Sequence, residues 1–168
     1  MEAQTTDGIE PEASRPRMFG SHLEPARLPW KWATAQLEVA RNYWIATTRP
    51  NGQPHCRPVW GVWLDGVLYF TTGSLAAQNL LHTPTTTVHL ESASKVVILE
   101  GVTEEMAKDS SLLGQIASLY EAKYHWKLDP NDLPYVFRPQ VAFGWLSDDE
   151  GLDGGSAFHG TATRWKFA

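Results

Sequence analysis

Two turn signals constrain the fold of this chain more than anything else in it. Arg49-Pro50-Asn51-Gly52 and Asp65-Gly66 each end in a pair that tolerates positive φ. They separate three runs rich in β-branched and aromatic residues: Tyr43 to Arg49, His55 to Leu64 and Val67 to Thr72. Connections this short join only antiparallel neighbours, because a parallel crossover needs about a dozen residues or more. The consequence is a three-stranded meander.

The rest of the chain continues in the same style. Thr85 to Leu90 and Val96 to Thr103 are two more β-rich runs, joined by the short stretch Glu91 to Lys95. Val141 to Ser147 and Thr161 to Phe167 close the chain as strands around an acidic, Gly-rich loop. Helical spacing occurs at Ala33, Leu37 and Ala40, within a helix expected over Lys31 to Asn42. It recurs at Leu113, Ile116, Tyr120 and Tyr124, in a helix expected from Asp109 to Tyr124 with Asp109 or Ser110 as its cap. Asp129 to Pro139 holds three prolines and reads as an irregular crossing. About seven short strands with two or three helices indicate a mainly β chain, a barrel rather than a parallel sheet. Residues 1–28, with Pro11, Pro16 and Pro25 among polar residues, read as a mobile arm, leaving one domain over 29–168.

Composition excludes several functions. A net charge of -5 is wrong for a protein that coats nucleic acid or an anionic membrane. Cys56 is the only cysteine, so no intrachain disulfide or thiolate zinc cage can form. No apolar run approaches the roughly 20 residues that span a bilayer, and the N-terminus lacks the order of a secretory signal. A cytoplasmic protein with small-molecule partners is expected. His55, His89, His125 and His159 match no metal-ligand spacing, so no metal site is expected. The loop Ser147 to Gly155 lacks a calcium-ligand pattern and reads as flexible, a candidate lid. Eight Trp in 168 residues suggest flat apolar surfaces or a ring-binding pocket. Trp60 and Trp63 lie an odd number of positions apart, so only one can face such a pocket, and Trp60 shares its face with Pro58 and Val62.

The segment Thr72-Gly73-Ser74-Leu75-Ala76-Ala77-Gln78-Asn79-Leu80 follows the third strand and opens a short helix. Unpaired N–H groups at such a start suit a phosphate, and Thr71, Thr72 and Ser74 offer hydroxyl donors. The alternative is a helix that plugs one barrel end, with Leu75, Ala76, Leu80 and Leu81 inward.

Taken in order, Thr47-Thr48-Arg49-Pro50-Asn51-Gly52-Gln53-Pro54-His55, Pro58 to Gly66, Leu68 to Gly73, Gln78-Asn79-Leu80 and Thr163-Arg164-Trp165-Lys166-Phe167 resemble the pyridoxamine 5'-phosphate oxidase-like split β-barrel superfamily. The branch of flavin- and deazaflavin (F-420)-dependent oxidoreductases is the most similar, over Trp30 to the C-terminus. The resemblance implies an antiparallel, Greek-key type split barrel of six or seven strands, homodimeric, with cofactor sites at the subunit interface. It also implies FMN or the deazaflavin coenzyme F-420 as cofactor, and hydride transfer to a small unsaturated substrate. A non-catalytic binding protein of the same fold is the alternative.

By the same resemblance Arg57, Pro58, Val59 and Trp60 line the ring, while Thr71, Thr72, Gly73, Ser74, Gln78 and Asn79 approach the phosphate. Arg164 and Trp165 lie near the cofactor, and no residue is assigned as catalytic. Many members of the branch carry basic residues where this chain has Ser74 and Ala76. That departure leaves the choice of cofactor open and makes Arg57, Arg164, Lys166 and Lys95 the candidates for the missing charge.

Overall fold

The computed structural model describes residues 10–16, 27–129, 132–147 and 156–168. Chain order begins with β1 (Glu12–Ser14), α1 (Trp30–Val39), β2 (Asn42–Thr48), β3 (Pro54–Leu64), β4 (Val67–Phe70) and α2 (Leu75–Leu80). It continues with β5 (Thr85–His89), β6 (Lys95–Glu105), α3 (Leu113–Tyr124), β7 (Tyr135–Leu146), α4 (Ser156–Thr161) and β8 (Thr163–Lys166).

The turns act as expected. Asp65 and Gly66 both take positive φ, 50° and 78°, so a two-residue loop of the primed type joins β3 to β4. Gly52 takes φ 84°, and the Arg49 N–H bonds the Gln53 carbonyl at 2.9 Å to close the longer β2–β3 turn. The resulting register sets Trp44 beside Pro58 and Asn42 beside Trp60.

Strands β7, β4, β3, β2, β5 and β6 follow one another in the sheet, and β6 pairs back onto β7 to close a six-stranded antiparallel barrel. Closure removes the unpaired edges that an open sheet would expose. Two strands switch partners along their length. β3 pairs with β2 up to Trp60 and with β4 from Gly61; β7 pairs with β4 at Tyr135 to Phe137 and with β8 at Val141 to Gly144. The barrel is split at these switches, and β8 with β1 continues the sheet beyond β7.

Burial follows the pleat: in β2 Tyr43, Ile45 and Thr47 are buried and their neighbours are not. The barrel core joins Ile45, Val59, Leu68, Phe70, Val88, Leu99, Phe137 and Trp165 with Ala33 and Leu37 of α1. A second cluster outside the barrel packs Ile116, Tyr120 and Tyr124 of α3 on Val62, Tyr69 and Val136.

Several expected boundaries are corrected. Strand β7 begins at Tyr135 and runs through Pro139, so the second half of the supposed irregular crossing is strand. It tolerates a residue without an N–H because the ladder is already interrupted there, where the register shifts between Glu100 and Gly101. Helix α3 starts at Leu113 without a side-chain cap; Ser110 instead accepts a bond from the Leu112 N–H at 3.3 Å. The last strand starts at Thr163 because 156–161 is helical, a turn and a half too short for periodicity to reveal. Residues 12–14 of the expected arm pair with β8. The remainder of that arm, apart from the short stretches flanking β1 and 27–28, and all of the candidate lid Ser147 to Gly155 after its first residue lie outside the described residues.

Candidate functional site

A cleft of about 580 Å³ opens where β3 changes partners. Arg57, Pro58, Val59 and Trp60 of β3 form one wall, and Thr71, Thr72 and Gly73, the residues leaving β4, form another. The structure thus brings together seven of the twelve residues singled out from sequence. It adds Asn42 and Trp44 of β2, which the hairpin register places beside Trp60 and Pro58, and Tyr135 at the start of β7. Glu91, Glu105 and Asp132 also line the cleft, against Arg57 as the single base among the described residues, whose Nε donates to the Pro58 carbonyl at 3.4 Å.

Trp60 and Trp63 separate as the pleat requires. Trp63 turns to the core and meets Trp30 edge-on at 6.5 Å, while Trp60 stays 42% exposed at the cleft. Behind Trp60 the ring of Tyr124 stacks in parallel, centroids 4.7 Å apart and planes 7° apart, with Trp126 edge-on at 6.4 Å.

The backbone under Trp60 is held by α3. Tyr120 donates to the Trp60 carbonyl at 2.5 Å, and Lys123 donates to the Gly61 carbonyl at 2.7 Å. Tyr124 accepts from the Gly61 N–H at 2.9 Å and donates to the Arg41 carbonyl at 2.6 Å. These positions, i, i+3 and i+4 on one helix, share a face. Gly61 lets β3 and β4 approach closely at this point: a Cβ there would lie 2.8 Å from the Tyr69 carbonyl oxygen and 2.9 Å from Leu68 Cδ1. Burial raises the Tyr43 and Tyr120 phenols well above their ordinary range, so both stay protonated donors. Sequence periodicity marked Tyr120 and Tyr124 as a core face but did not reveal that their hydroxyls serve β3.

The remaining sequence candidates lie elsewhere. Ser74 Oγ accepts from the Ala76 N–H at 3.3 Å, capping α2, and sits 3.3 Å from Thr72 Oγ1. Ala76 and Leu80 are buried as a plug requires, but Leu81 is 80% exposed and points away. Gln78 and Asn79 line a separate depression of about 290 Å³ with Arg49 and His82. Asn79 is fully buried and donates to Thr47 Oγ1 at 2.9 Å, tying α2 to β2. On β8, Trp165 is fully buried against Trp30 at 5.4 Å and Arg164 pairs with Ser14; neither lines the cleft of this chain.

The cleft suits the ring of a flavin better than its phosphate. Aromatic walls and the hydroxyls of Thr71 and Thr72 match a flat ring with polar edges. For the phosphate the chain offers Arg57 and neutral donors, and six-residue α2 is too short to add much dipole. Among the described residues no group of three His, Cys, Asp or Glu side chains could hold a metal ion, and no helix is long and apolar enough to cross a membrane.

No curated protein gives a significant match to the chain. Solved structures do. The chain is similar to an F420 reductase, with 24% identity, TM-score 0.53, and 64% of this chain and 93% of that one covered. It is similar to a FAD-binding protein from Mesorhizobium loti, with 15% identity, TM-score 0.58, and 84% and 96% covered. The heme storage protein HutZ from Vibrio cholerae is a third, with 14% identity, TM-score 0.57, and 68% and 93% covered. These likenesses establish the split-barrel fold. The family model for pyridoxamine 5'-phosphate oxidase matches residues 33–145, from the first helix through most of β7 and so across every wall of the cleft, and the chain belongs to that family.

Proposed function

We propose that the cleft holds the ring of a flavin-type cofactor, FMN or the deazaflavin coenzyme F-420, and that the protein is an oxidoreductase acting on a small unsaturated substrate. The observation that carries this reading is the stacked Trp60 beside the hydroxyls of Thr71 and Thr72, inside the stretch that matches the family. The F420 reductase and the FAD-binding protein among the structural relatives support the cofactor class. When bound, a ring of this kind supplies the hydride or two-electron chemistry. The chain's own residues orient it: Trp60 provides a flat face, Thr71 and Thr72 provide donors to polar edges, and Arg57 offers positive charge where negative charge gathers.

Arg164 and Trp165 lie outside this chain's cleft, so a role for Arg164 at the cofactor requires the homodimer that the resemblance implies, with β8 of one copy reaching the other's cleft. The second reading is a non-catalytic binding protein of the same fold, favoured by the three carboxylates that line the cleft and by the uncharged start of α2. Fluorescence titration with FMN and with coenzyme F-420, followed by turnover of the bound, reduced cofactor with enones and quinones, separates the two. Saturable binding with turnover is expected; saturable binding without any acceleration over free solution would replace the enzyme by the binding protein.

A further inference from the structure

Two cations stand behind the Trp60 platform. Lys123 Nζ lies 4.9 Å from the centre of the Tyr43 ring and 5.3 Å from that of Tyr124, and 3.4 Å from the Tyr43 hydroxyl. Arg41 lies 5.5 Å from the same Tyr124 ring and donates to the Lys123 carbonyl at 3.3 Å. Among the described residues no carboxylate is within ion-pairing distance of either cation. Tyr124 in turn stacks on Trp60, and Trp60 lines the cleft.

Keeping this charge is costly. Burial first, and then repulsion from Arg41, push the Lys123 ammonium down to about 8. A methionine of similar length would fill the space without that cost, but the Gly61 carbonyl that Lys123 reaches at 2.7 Å would be left to the Tyr124 hydroxyl, 2.8 Å away, whose one proton the Arg41 carbonyl also draws. Packing alone therefore does not account for a lysine here.

We propose that Lys123, together with Arg41, is a specificity-determining residue of the cleft: its charge behind the Tyr124–Trp60 stack makes the exposed face of Trp60 a platform for a flat ring that bears negative charge. The proposal rests on the ring-binding reading of the cleft. Across ~10 Å of protein at an effective dielectric of ~20, one unit charge shifts the affinity for another by on the order of tenfold, less what solvent screens. FMN is a suitable probe because its ring is neutral when oxidised and readily becomes an anion when reduced, while its phosphate is the same in both.

The experiment is an anaerobic titration of the full chain with oxidised FMN and with dithionite-reduced FMN, for the wild type, Lys123→Met, Lys123→Arg and Arg41→Gln, with thermal melts of each. The wild-type ratio is the reference, with Glu91, Glu105 and Asp132 in the cleft opposing the two cations behind Trp60. Lys123→Met should lower the reduced-to-oxidised affinity ratio threefold to tenfold, a change in ratio that loss of the bond to the Gly61 carbonyl alone would not give; Arg41→Gln should lower the ratio less, and Lys123→Arg should keep it. A ratio unmoved by Lys123→Met and Arg41→Gln overturns the proposal, as does equal weakening of both forms with a lower Tm, the signature of a structural lysine. If the wild type binds neither form, the ring-binding reading itself falls and this one with it.

Discussion

Helices α2 and α3 handle polarity in opposite ways. Helix α2 caps itself with Ser74, buries Ala76 and Leu80, and uses its one buried amide, Asn79, to bond Thr47. Helix α3 sends Tyr120, Lys123 and Tyr124 to backbone groups of β3 at Trp60 and Gly61. The first packs on the barrel, with its buried amide donating to β2 and the Asn79 Oδ1 left without a partner among the described residues. The second is a clamp that positions one wall of the cleft and brings charge behind it. The expected basic residues are missing from α2, and cations stand on the α3 side of Trp60 instead.

The comparison breaks most severely at Ala76. Its side chain is fully buried, so Ala76→Lys must place an ammonium in the core, with an expected cost of about 3–5 kcal/mol in urea unfolding. Tighter FMN binding with unchanged stability would instead make α2 a phosphate site and end the contrast.

On the clamp side, Gly61→Val sets a branched side chain where a Cβ alone would lie 2.8 Å from the Tyr69 carbonyl. Overpacking of this kind costs about 1–3 kcal/mol, and loss of the cleft's ligand affinity should accompany it. Unchanged chemical denaturation would show that β3 and β4 separate more easily than their pairing suggests.

Tyr124→Phe keeps the ring that stacks on Trp60 but removes the bonds to the Gly61 N–H and the Arg41 carbonyl. An expected loss of about 1–2 kcal/mol, read from urea midpoints, measures the clamp apart from the platform.

The smallest effect sharpens the role of Lys123. Its folded-state value, about 8, lies below the ordinary lysine value of 10.5, so the unfolded chain binds more protons between the two. The unfavourable half-buried charge is fully present below about pH 8 and is relieved as pH rises toward 10.5. The wild type should therefore gain stability relative to Lys123→Met between pH 7.5 and 9.5, about the window before tyrosines ionise in the unfolded chain. A difference in Tm that stays flat across that range would place the ammonium in solvent.

Much of this was readable one residue at a time. The turns at Asn51-Gly52 and Asp65-Gly66 demand positive φ, and with alternating burial they determine the hairpins, their register, and so the neighbourhood of Arg57 to Trp60. The same register already implied that Trp44 and Asn42 flank Pro58 and Trp60, although neither residue has a motif of its own. Local geometry could not say that β7 continues through Pro139, because the interruption that accommodates it is set by β6, a distant strand. Nor could it say that α3 crosses β3: Tyr120, Lys123 and Tyr124 read as an ordinary helix face with a surface lysine until β3's change of partners brings the Trp60 and Gly61 carbonyls beneath them. Turn chemistry and side-chain period act over a few residues, so the sequence by itself determined strands and hairpins, while the wall formed by Arg57 to Trp60 was what the family resemblance implied. Which helix serves which backbone group, and where charge stands relative to the exposed face of Trp60, depend on contacts about 60 residues apart, as between Trp60 and Tyr120, and only the closed barrel decides those.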